Sequence, residues 1–98
     1  MKSHAVICVN FLSASEGGRK EPITGKSYGC PMLVEGRAFD CRFVLDREVR
    51  FDTDQAHRIE VSFLSPEAAL QAIRVGQTIE LWEGKVIARG TIEEIPCQ

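Results

Sequence analysis

An all-β fold, a small barrel or sandwich of six strands with one short helix, follows from three observations on this 98-residue chain. Apolar and polar residues alternate over residues 39–45 and 57–64, the period of a half-buried strand. Glycine and proline recur at short intervals and cut the chain into brief segments. Only residues 65–76 carry the start and stop signals of a helix.

The first strand is expected over residues 5–12. Val6, Cys8, Asn10 and Leu12 share one face, and Ala5, Ile7, Val9 and Phe11 the other. Only Asn10 is polar, so this strand is predicted to be covered on both sides or nearly so. A loop over residues 16–29 follows, where Gly17, Gly18, Pro22, Gly25 and Gly29 exclude a long helix. A shorter strand is expected over residues 28–34, its pairing restricted by Pro31. Phe39, Cys41, Phe43 and Leu45 then face inward against Asp40 and Arg42. Residues 46–53 are charged and extended in part, carrying Val49 and Phe51 to a turn at Asp52-Thr53-Asp54. Ile59, Val61 and Phe63 point inward in the next strand, with Arg58, Glu60 and Ser62 outward.

Ser65 as N-cap, Pro66 at the first helical position and Glu67 near the positive end of the dipole start the helix. Ala68, Ala69, Leu70, Ala72 and Ile73 continue it, and Gly76 is expected to stop it. Strands over residues 78–82 and 86–92 form a hairpin around Glu83-Gly84. With Ile79 and Leu81 inward, Trp82 points outward beside the turn. The expectation is that Trp82 is packed away over a barrel end or the helix. Its alternatives are an interface anchor or a stacking platform for a base.

Charged residues are 27% of the chain and the formal net charge is −2, so no general attraction to nucleic acid or to an anionic membrane follows. No apolar run approaches the roughly 20 residues that span a bilayer, and residues 1–4 lead into a strand pattern rather than a signal-peptide core. A cytoplasmic, single-domain protein spanning residues 1–98 and without membrane contact is expected. Cys8, Cys30, Cys41 and Cys97 contain no C-x-x-C pair and are expected to stay reduced and metal-free, with Cys8 and Cys41 as core residues.

Chemistry is poorly supplied. Gly25-Lys26-Ser27 resembles a fragment of a phosphate loop, but the required glycine five residues earlier is Lys20. Ser13, Ser15, Ser62 and Ser65 lack a nucleophile elbow, and His57 has no nominated partner. The chain is therefore expected to be no enzyme and to hold no cofactor or metal. A small-molecule enzyme has only His57 and unplaced carboxylates behind it.

The densest motif is the first loop: Leu12-Ser13, then Glu16-Gly17-Gly18-Arg19, then Pro22. Gly17-Gly18 is expected to reach positive φ, aiming N–H groups and the Arg19 guanidinium at one acceptor. This motif resembles the start of the C-terminal β-barrel of elongation factor Tu, the bacterial translation GTPase. Tyr28-Gly29-Cys30-Pro31 is similar to that family's next landmark with an added spacer, and Glu83-Gly84-Lys85-Val86-Ile87-Ala88-Arg89-Gly90 to its late hairpin, one glycine shorter. The resemblance covers roughly residues 5–95 and departs at the helix. It implies a six-stranded antiparallel Greek-key barrel without the GTPase domain. In that family the barrel does no chemistry and helps hold the T arm of aminoacyl-tRNA. Arg19 inherits that surface by position, with Lys20 where the family commonly has histidine and Gly90 near the same surface. The expected contact residues are Glu16, Gly17, Gly18, Arg19, Lys20, Lys26, Trp82, Arg89 and Gly90. A non-enzymatic module binding a protein partner is the leading expectation, and a tRNA- or RNA-binding module in translation its alternative.

Overall fold

A computed structural model describes residues 2–96. Its elements in chain order are β1 (Ala5–Phe11), β2 (Ile23–Gly25), β3 (Gly29–Val34), β4 (Arg37–Phe43), β5 (Val49–Phe51), β6 (Ala56–Phe63), α1 (Pro66–Ala72), β7 (Thr78–Trp82) and β8 (Val86–Glu94). Six strands close into an antiparallel barrel in the order β1-β6-β4-β3-β7-β8, and β2 pairs with β5 as a separate ribbon. Strands β3, β4 and β6 are sequential neighbours, and β7 returns to lie beside β3. That is a Greek key. The helix falls between the fourth and fifth barrel strands.

Alternation builds the interior. Ile7, Val9, Met32, Cys41, Val61, Ile79, Leu81, Ile87 and Ile92 are essentially inaccessible, and Phe39, Phe43, Ile59 and Phe63 are buried beside them. The ribbon adds Ile23 and Phe51. Phe51 stacks on Phe11 at 5.4 Å between ring centroids and meets Phe43 edge-on at 5.6 Å. The ribbon is thus packed on the barrel through Phe51, with Ile23 buried beside it. Pairing of β7 with β8 slips between Leu81 and Trp82, so that Leu81 opposes Ala88 while Trp82 opposes Val86. The extra residue is Ile87, and the bulge lets Ile87 and Ala88 both be buried.

Five expectations change. Residues 16–29 are not all loop, because Ile23–Gly25 pairs with Val49–Phe51. The outer face of β1 is only partly covered: Val6 is buried, Cys8 half-buried and Asn10 exposed, since no layer lies over that end of the strand. Cys8 is consequently not a core residue. The helix stops at Ala72, with Ile73 extended at its cap, and Gly76 takes its positive φ of 89° in the turn beyond. Ser65 caps through its backbone carbonyl, which accepts the Ala69 N–H at 3.1 Å, and not through its side chain. Leu45 lies past the end of β4 and is half-buried.

Cys30 and Cys41 face each other as free thiols across β3 and β4. The hydrogen bond between them pushes the Cys41 thiol up, reinforced by burial, and draws Cys30 down. Cys97 lies outside the described residues. Among the described residues, no helix is long and apolar enough to cross a membrane.

Candidate functional site

The first loop is a self-contained turn, and each residue of its motif has a local reason. Residues Ala14–Glu16 form one turn of 3-10 helix after Ser13. The Glu16 carboxylate accepts the Ser13 N–H and the Ser13 hydroxyl, both at 2.9 Å. Those two donors hold Glu16 below the usual carboxylate range. Gly17 then takes a left-handed φ of 93°, as a helix end asks.

Gly18 is there for a different reason from the one expected. Its φ is not positive; a Cβ at this position would stand 2.0 Å from the Leu12 carbonyl oxygen. The chain doubles back on itself there, and only a residue without a side chain fits. Gly90 is the same case in β8, where a Cβ would lie 1.9 Å from the Cys8 carbonyl oxygen. Its close backbone approach is to β1, inside the barrel wall.

Arg19 crosses from this loop to the last hairpin. Its Nη1 reaches both Glu83 carboxylate oxygens, at 2.5 and 2.6 Å, and its Nε donates to the Glu21 carbonyl at 3.1 Å. The Tyr28 hydroxyl donates to the same carboxylate, and the guanidinium carbon sits 5.9 Å from the Tyr28 ring centre. Tyr28 in turn rests on Phe43 at 5.1 Å. The first loop and the hairpin turn are therefore brought together, as a shared surface requires. They are joined by an internal ion pair. Arg19 keeps 31% of its side chain exposed, so the loop is neither free nor fully buried.

Burial, and the bond to Glu83, push the Tyr28 hydroxyl far above its ordinary range. Tyr28 is the only tyrosine, so its ionisation can be read directly. A raised folded pKa favours the native state fully below the unfolded value and loses that contribution as pH rises past it. Stability should therefore begin to fall above about pH 10, the ordinary tyrosine value. The tyrosinate absorbance should appear together with unfolding, and Tyr28→Phe should remove this alkaline sensitivity. A tyrosinate band rising at about pH 10 in a still-folded chain would contradict the Tyr28–Glu83 bond.

The other cations are dispersed or matched. Arg89 pairs with Glu80 at 2.9 Å and lies close enough to Glu16 to help hold its charge. Lys20 and Lys26 are exposed. Gly25-Lys26-Ser27 leads from β2 towards β3 rather than into a helix. His57, half-buried, uses Nε2 on the Asp52 carbonyl at 2.8 Å and stands edge-on to Phe51, tying the ribbon to β6. That is a structural histidine. His4 accepts the Phe63 N–H at 2.9 Å on its Nδ1.

Trp82 is the clearest departure. It is not packed away but remains 42% exposed. Trp82 follows Leu81, the last β7 residue paired with β3, and its side chain lies on the outer wall. Pro31 pairs with Asp40, whose carbonyl accepts the Leu64 N–H at 3.0 Å. Leu64 is 59% exposed and lines one shallow depression with Pro31. Asp40 separates Pro31 from Leu64, and one step along, Leu33 lies between Ala38 and Glu80. Only the alternation past Phe63 pointed outward to Leu64.

No protein-family model matches the chain, and no curated protein matches it.

Proposed function

We propose that this chain is a non-enzymatic binding module that engages a protein partner through the outer wall around Trp82. The observation that carries this reading is Trp82, a large aromatic side chain left exposed on the outer wall. A half-exposed tryptophan on a rigid strand loses little conformational entropy when covered, which suits an interface anchor. The barrel, which resembles the elongation factor Tu C-terminal domain, would supply the scaffold.

An RNA-binding role through Arg19, Lys20, Lys26 and Arg89 is the second reading, and it draws on the loop-to-hairpin contact. Against it, Arg19 and Arg89 each hold a carboxylate. A phosphate would have to displace Glu83 or Glu80 before gaining either cation. Little net counterion release then remains to drive binding.

Both readings meet one experiment. The tagged chain, Trp82→Ala and Arg19→Ala are used to capture partners from a lysate of the cells that make it, and the retained species is measured at rising salt. Trp82→Ala should weaken capture by about 2 kcal/mol or more, roughly 30-fold, with little change in folding. Arg19→Ala should matter less. Retention of RNA that falls steeply with salt and is lost with Arg19→Ala would replace the protein-binding reading with the second one.

A further inference from the structure

Closure of the barrel is uneven. Strand β6 pairs with β1 along Ala56 to Val61, but with β4 only at Val61, Ser62 and Phe63. Beyond that, β4 has ended, and one bond from the Val44 N–H to the Glu60 carbonyl, at 2.8 Å, closes the ladder. In an antiparallel sheet the N–H and C=O of one residue point to the same edge, and successive residues alternate. Since the Glu60 carbonyl points to the β4 side, Arg58 points there too, while His57 and Ile59 point to β1. Val44 already lies opposite Glu60, so the open edge begins at Arg58, whose N–H and C=O have no backbone partner among the described residues.

These groups face a cleft of about 460 Å³ whose opposite wall is β5. Strand β5 uses one edge for β2 and leaves the other unpaired. Half-buried Leu45 and Val49 give the cleft apolar wall surface. Its charge is unbalanced. Arg50 is held by Asp52, and Arg58 by Glu93 and Glu94. Asp46, Glu48 and Glu60 are then opposed by Arg47 alone among the cleft's residues outside ion pairs.

We propose that this cleft binds an extended basic peptide segment of a partner protein, which adds as a strand to the open edge of β6. Main-chain bonds to the N–H and C=O of Arg58 supply the pairing, and alternate side chains separate an apolar inner face from an outer face that meets the carboxylates. The volume and the β5 wall admit a short strand with no sheet attached. A second copy of the barrel is too thick to enter, because its strands carry neighbours and a packed core. The cleft is distinct from the Trp82 wall, and neither site needs the other.

The test uses the isotope-labelled full chain and a short peptide alternating lysine and valine, blocked at both ends. On titration, the Arg58 amide should shift and slow its hydrogen exchange, while Ile59 and Val61, already bonded to β1, should change little. The same peptide N-methylated at alternate residues, on the edge that meets β6, should bind about tenfold more weakly, as should one alternating glutamate and valine. Glu60→Lys, at an exposed position, should weaken the lysine peptide several-fold without unfolding the barrel. An unchanged Arg58 amide at millimolar peptide would overturn the proposal. So would equal binding of the N-methylated peptide, or an Arg58 amide as protected as Ile59 in the free chain.

Discussion

Phe43→Ala should cost about 3–5 kcal/mol of folding free energy, the range for removing a packed phenylalanine and leaving its cavity. Phe43 is 4% exposed and joins three parts of the molecule. Its own strand forms the barrel wall, Phe51 brings the ribbon against it, and Tyr28 rests on it below the Arg19–Glu83 pair. Truncation should therefore loosen the ribbon and the loop contact along with the core. A domain of this size has about 5–15 kcal/mol in total, so the variant should be marginal at ordinary temperature. Urea unfolding followed by Trp82 fluorescence and by circular dichroism would read it. Phe43→Leu should recover most of the loss, ending within about 1.5 kcal/mol of the parent. A loss below about 1 kcal/mol for the alanine variant would mean that the ribbon is not packed as described.

Gly90→Ala should be nearly as damaging, although it adds a single methyl group. The backbone at Gly90 is not in the left-handed region, so the cost is not one of dihedral preference. The new Cβ would meet the Cys8 carbonyl oxygen at 1.9 Å and the Val9 Cα at 2.7 Å, and neither is the end of a flexible side chain. Strand β1 would have to retreat from β8 along the seam that closes the barrel. A cost of about 3 kcal/mol or more is expected, at or above the upper end for overpacking. Gly84→Ala is the control. Gly84 has a φ of 71° and open space around its Cβ position, so alanine there should cost only about 1 kcal/mol in backbone strain. If Gly84→Ala proved worse than Gly90→Ala, the tight β1–β8 approach would be wrong.

The barrel was legible because its signal is local and repeated. Alternation through Phe39, Cys41 and Phe43, and through Ile59, Val61 and Phe63, assigns a face to each side chain without reference to any distant residue. The helix start at Pro66 was equally local, since proline at the first helical position sacrifices no hydrogen bond. Its end was not. Gly76 is a suitable terminator, but Ile73 is drawn into the core and leaves the helix three residues earlier. The ribbon was missed for a related reason: Ile23–Gly25 is too short to show a period, and it becomes a strand only because Val49–Phe51 lies against it.

The candidate site divides in the same way. By itself, the sequence determined that the loop turns at Gly17, that Arg19 and Lys20 follow the turn, and that Trp82 leaves its strand on the outer face. These depend on bonds between near neighbours. Only the tertiary structure decided what those groups meet. Arg19 and Glu83 lie 64 positions apart, and Tyr28 and Glu83 lie 55 apart, so their pairing waits on barrel closure. Gly18 looks like a turn glycine in a sequence and Gly90 falls within an expected strand, yet both are required by another stretch of backbone packed against them. Trp82 stays exposed because the helix packs elsewhere, and the open edge of β6 exists because β4 stops two residues before Leu45. Short-range stereochemistry and alternation can be read along one chain. Contact between distant segments is set by how six strands share one closed wall, and no local pattern encodes that.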